Sequence, residues 1–132
     1  MSDNPKIPTV EQVLAKMTED VGTTPEAMKI LSEIKPSMVL EHARSRRFAN
    51  EENSIPEKYR QLITIAAVAG SGAPSCIKTQ IDVALHQGID PIEIVDALVV
   101  ARFALASTVF SNSVEGLRSL VDWAAGSEEK HV

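Results

Sequence analysis

Apolar positions along this chain fall into segments bounded by helix-type punctuation, and no segment shows the sustained alternation of a half-buried strand. Thr9 and Gln12 form a Thr-x-x-Gln capping box ahead of "VLAKM". "TTPEAMKIL" offers Thr24 as a cap and Pro25 as the first helical residue. A third segment starts after Pro36 and ends near Phe48, and "NEEN" then reads as a polar linker. Ser54 and Glu57 suggest a second capping box, opening a helix that stops at Gly70. "PSCIKTQIDVALHQG" follows, with Gly88 as its stop. Asp90, Pro91 and Glu93 give the clearest helix start, and a last helix spans roughly Ser111 to Ala125. The "LVV" of 98–100 is β-prone in isolation but lies inside a longer capped segment, so it is read as helical. The expected fold is all-α, one domain over 1–132 with about seven helices: leading helices over 1–55, a core over 56–120 and a frayed tail over 126–132.

Two stretches, "LITIAAVA" (62–69) and "ALVVARFALASTVF" (97–110), are apolar on nearly every side. A helix apolar all round must be covered all round, and a chain this short has little room to cover two. The simplest arrangement is a symmetric homo-oligomer. The alternative is that the N-terminal helices cover them within one chain.

Composition narrows the classes. Hydrophobic residues make up 44% of the 132, enough for a core, while aromatics are only 4%, which suits close-packed helices of small aliphatic residues. The net charge of −5 argues against a broad nucleic-acid footprint. The N-terminus lacks an apolar signal core, and polar residues and glycines interrupt the uncharged run 61–77, so no membrane segment is read. One cysteine forms no internal disulfide and fits a reducing, cytoplasmic setting. No histidine pair has ligand spacing, so neither a metal nor another cofactor is expected. "GSG" at 70–72 lacks the Lys-Ser/Thr ending of a phosphate loop and reads as a turn between helices.

The segment from Pro56 to about Leu120 resembles the carboxymuconolactone decarboxylase family, which includes the alkylhydroperoxidase D-like proteins. The resemblance is carried by "R-x-L-I-x-x-A" (Arg60, Leu62, Ile63, Ala66), a Cys on the next helix, Ala84, Gly88 and then Glu93-Ile94. Residues 19–48 fit the family's leading helices loosely. The resemblance implies an all-helical subunit assembled as dimers, trimers or hexamers. It also implies a redox branch with Cys-x-x-Cys, a His just before the second Cys, a His four residues after it, and a Glu on the preceding helix. Here the second Cys falls on Cys76, but the first falls on Ala73, the two His on Ser75 and Gln80, and the Glu on Gln61. The decarboxylase branch is implied to keep the trailing His without the Cys, so this chain follows neither pattern.

Four residues are therefore candidates for a site. Cys76 stands in the first turn of its helix, where a thiolate is favoured; the plainer reading is a small buried apolar residue. Gln61 and Gln80 cannot transfer protons but can hold a carbonyl or carboxylate, unless each simply satisfies the other. Arg102 interrupts an apolar run, and in an antiparallel hairpin about Gly88–Asp90 it would lie level with Cys76. It reads equally as a carboxylate grip or as half of a structural ion pair, with Glu115 for example. Arg44, Arg46 and Arg47 form a cluster that reads as an anion site or as helix-end charges countered by Glu41, Glu51 and Glu52. His86 reads as a solvated helix-terminal residue.

Three functions remain open. One is a non-redox family member that binds or transforms a small carboxylate or lactone, as a decarboxylase or isomerase, beside Cys76. Another is a one-cysteine, peroxidase-like thiol antioxidant. The last is an oligomeric scaffold that has kept the fold and lost the site.

Overall fold

The computed structural model describes residues 7–129. Seven helices follow one another, and no strand occurs among the described residues: α1 (Val10–Val21), α2 (Glu26–Ile34), α3 (Pro36–Glu51), α4 (Glu57–Ser71), α5 (Pro74–His86), α6 (Pro91–Ser111) and α7 (Val114–Glu129). The all-α expectation holds.

The strongest start signals work as read. The Thr9 hydroxyl accepts from the Gln12 N–H at 3.2 Å while the Gln12 side chain accepts from the Thr9 N–H at 2.9 Å. Asp90 Oδ1 accepts from the Ile92 N–H at 2.8 Å, ahead of Pro91 at the first helical position. Others shift. Pro25 caps α2 without a side-chain bond, and Thr24 pairs its hydroxyl with Thr18 instead. Ser54 forms no box, because α4 begins at Glu57 with Pro56 as its cap. α3 runs through the first half of the "NEEN" linker to Glu51, and α4 ends at Gly72 rather than Gly70. Gly72 has φ 73°, the left-handed conformation that closes a helix and that glycine adopts without strain. α7 continues to Glu129, past Ala125; residues 130–132 of the expected tail lie outside the described residues.

Two apolar clusters organise the chain. Val13, Met17 and Val39 join α1, α2 and α3, with Met28 and Leu31 packed against them. Ile65, Ala84, Ile89 and Ile94 join α4, α5 and α6, with Leu62, Ile81 and Leu98 alongside. α1 also packs on α5, which brings the two halves together. The main partner of α6 is α4, and α6 makes little contact with α5. The hairpin geometry expected for α5 and α6 is therefore not the packing adopted: once Ile65 and Ile94 meet in one cluster, α4 occupies the face of α6 that α5 would have needed.

The N-terminal helices do not cover α6, and α7 has no substantial packing partner among the described residues. Val100 is 67% exposed, Phe103 76% and Trp123 75%. The chain exposes 10242 Å² in all. A compact monomer of 14.3 kDa exposes about 6,800 Å². Even if the nine residues outside the described range were counted as fully extended, at about 1,400 Å², an excess of about 2,000 Å² is left. Among the described residues α6 is the one helix long and apolar enough, by length and composition alone, to cross a membrane.

Candidate functional site

The two halves of the chain pack through α1 on α5, and polar side chains of α3, α4 and α5 line a seam between them. Gln61 faces inward from the first half of α4, one turn before the fully buried Ile65, and is itself only 8% exposed. Its amide donates to the Gln80 carbonyl at 2.8 Å and to Gln80 Oε1 at 3.1 Å. The buried Gln61 amide group thus finds both of its acceptors on Gln80. Gln61 acts as a positioning residue: its N–H groups hold Gln80, and Gln80 presents the remaining amide donor to the seam.

Two cavities open on either side of Gln80. The smaller, about 280 Å³, is lined by His42, Arg46 and Asn50 of α3, by Arg60 and Gln61 of α4, and by Gln80, with Glu57 at its rim. The larger, about 690 Å³, contains Ser75, Cys76 and Thr79 of α5, together with Met17, Met28 and Val83. His42, Arg46 and Gln80 line both. Cys76 is exposed, so the reading as a buried apolar residue fails. It sits in the first turn of α5, which lacks a side-chain cap. The reason is local: α5 begins on Ala73 and Pro74, neither of which can cap, and no neighbouring element covers that turn.

The sequence candidates are thereby divided. Gln61 bonds Gln80, and Gln80 shares the larger cavity with Cys76, whereas Gln61 and Cys76 line different cavities. Arg102 is exposed on α6 and lines neither cavity. Nor does it pair with Glu115 or with another acid among the described residues. Lys78, two residues beyond the thiol, bonds Asp82 at 2.6 Å one turn along its own helix. His86 is exposed in the last turn of α5, with Nδ1 2.8 Å from the Asp82 carbonyl and its ring against Gly22.

Sequence reasoning missed His42, Arg46 and Arg60 as a group. The spacing of His42 and Arg46, four apart on one helix, was the available signal, because it places both on one face. The basic cluster divides accordingly. Arg44 forms an exposed two-pronged pair with Glu41, at 2.9 and 2.7 Å. Arg47 lies in a separate groove with Ile7 and Pro8. Arg46 alone turns into the seam. Its nearest acid, Asp20, is 3.6 Å away and also holds Lys16 at 2.8 Å. That hydrogen bond raises Lys16 above its ordinary value. At the other end of the core, the Lys58 ammonium lies 2.5 Å from Glu93, which likewise raises it, and this pair ties the start of α4 to the start of α6.

The arrangement can hold a small polar or anionic molecule against Gln80, with Cys76 within the adjoining space. Gln61 and Gln80 cannot titrate. Three residues line both cavities, His42, Arg46 and Gln80.

Comparison with curated proteins finds no match to this chain. Comparison with family models gives one over residues 39–118, the carboxymuconolactone decarboxylase family. The matched region begins on α3, so it takes in His42 and Arg46 as well as Gln61, Cys76, Gln80 and the α4–α6 core. With more than half of its length so matched, this chain belongs to the carboxymuconolactone decarboxylase family.

Proposed function

We propose that this chain binds or transforms a small carboxylate or lactone in the seam beside Cys76, as a homo-oligomer in the cytoplasm. The observation that carries the reading is the polar seam itself: Gln80, locked by the buried Gln61, stands in the wall shared by two open cavities. A scaffold that had lost its site would have a closed, apolar neighbourhood there. The chemistry that fits is orientation and electrostatic stabilisation, as in the departure of a carboxylate as carbon dioxide or the shift of a double bond. The redox cycle of the family's thiol branch lacks its partners, since Ala73, Ser75, Gln80 and Gln61 stand where thiol, imidazole and carboxylate are needed.

A thermal-shift screen with small lactones and dicarboxylates tests the reading. At least one at millimolar concentration is expected to raise the melting temperature. No stabilising ligand in the panel would overturn it. A second reading has one observation in its favour: Cys76 is exposed in an uncapped first turn, where a thiolate would be reactive. As a one-cysteine antioxidant it would need an external thiol to resolve the oxidised sulfur. Maleimide labelling of the native protein no faster than that of an ordinary exposed thiol removes that reading.

The homo-oligomer is supported by the surface excess of about 2,000 Å², within the range of obligate interfaces. A bilayer is the weaker partner for α6. Arg102 lies at the middle of that helix, where an arginine costs about 2.5–3.5 kcal/mol in lipid, and α4 already packs along one side.

A further inference from the structure

We propose that the 280 Å³ cavity between α3, α4 and α5 is a carboxylate site gripped by Arg46 and Arg60, completed by His42 and Gln80. This rests on the proposed function and assigns its charge recognition to residues other than Arg102. Charge balance leads to the assignment. The protein is acidic, with net charge −5, yet two half-buried guanidiniums face this one cavity. Neither has an acid partner to itself. Arg46 shares Asp20 with Lys16 at a distance too long for a two-pronged bond. Arg60 has no acid partner among the described residues. Glu57 is the one carboxylate in the wall; it is exposed and pairs with neither arginine.

Arg60 is held in place at the cavity. Its Nη1 donates to the Ile55 carbonyl, which fixes the guanidinium at the cavity wall. Its Nε is buried and has no hydrogen-bond partner. That nitrogen has no surface open to the cavity, so a ligand there would meet the terminal Nη atoms of Arg60. The planar fork of a guanidinium matches the two oxygens of a carboxylate. Arg46 enters from α3 and Arg60 from α4, so a molecule with one or two carboxyl groups would be held across the seam. Its other end would then lie toward Gln80, His42 and the wider cavity that contains Cys76. The volume, about that of nine liquid water molecules, suits a ligand of that size.

The probe is succinate, with uncharged succinamide as its control, titrated into the purified protein by calorimetry and by chemical-shift change of labelled arginine side chains. Wild type is expected to bind succinate and not succinamide. Arg46→Gln and Arg60→Gln should each weaken succinate at least tenfold, while Arg102→Gln and Arg44→Gln change it less than twofold. If Arg60→Gln fails to fold, Arg60→Lys keeps the charge without the fork and should still weaken succinate severalfold, and Arg46→Gln stands independently. Succinate binding that survives both Arg46→Gln and Arg60→Gln overturns the assignment. If binding instead falls with Arg102→Gln, this site is wrong while the function stands. If no carboxylate or lactone binds wild type at all, both fall.

Discussion

Phe103 offers the sharpest test of what covers α6. The ring is 76% exposed in the chain and belongs to neither apolar cluster. Aromatic side chains bury about 150–250 Å² when covered, so a partner would remove about 150 Å² of this one from water. At about 25 cal/mol per Å², that contributes about 4 kcal/mol for each copy. In a solitary chain, Phe103→Ala would be a surface change worth less than about 0.5 kcal/mol. The two cases differ by about three orders of magnitude in an association constant. The assay is sedimentation equilibrium of wild type and Phe103→Ala over a dilution series, with circular dichroism to confirm that the helices remain. Wild type should hold together where the variant separates, and Phe103→Asp should separate further because an interface would have to bury an unpaired charge. A wild type that sediments at 14.3 kDa at every concentration, or a variant that associates as strongly, would refute the covering of α6 by a second copy.

Further outcomes follow from single contacts, measured at one fixed protein concentration because assembly shifts apparent stability. Gln61→Leu removes both amide donors to Gln80 and should cost about 1–3 kcal/mol in urea unfolding. Gln80→Leu loses only the 3.1 Å side-chain bond and should cost less; the reverse order would contradict the assigned roles. Asp90→Ala removes the cap of α6 and should cost about 1 kcal/mol in the same measurement. Glu41 is held below its ordinary 4.5 by the hydrogen bond from Arg44, so its contribution to stability is full above that value and is lost as pH falls through the lowered one. Melting temperatures of Glu41→Gln and wild type should therefore differ slightly near neutrality and converge in acid, and salt should shrink the difference because the pair is exposed.

How much was legible in the sequence depended on how local the cause was. The caps at Thr9 and Asp90 are bonds between residues two or three apart, and both were read correctly. Ser54 and Thr24 carried the same signal and failed, because a proline nearer the helix set the first turn in each case. Gln61, Cys76 and Gln80 were found because family spacing marked their positions, and the structure brings them to one seam. His42, Arg46 and Arg60 were not grouped, because nothing in the spacing of α3 relative to α4 says that those helices face each other across a cavity. Arg102 was placed beside Cys76 by assuming that consecutive helices pack together, whereas α6 packs on α4.

The sequence by itself determined the all-helical class, most helix starts and the presence of more apolar surface than one short chain can cover. Those follow from side-chain period, capping chemistry and composition, which act within a turn or two or sum over the whole chain. Only the tertiary structure decided which helix lies against which, that Cys76 is open to solvent, and that two arginines from different helices face one cavity, neither with an acid partner to itself. The physical reason is that helix pairing is settled by the burial of apolar faces far apart in sequence, here Ile65 against Ile94 and Val13 against Val39, and the polar seam is lined by helices that those separate clusters hold in place.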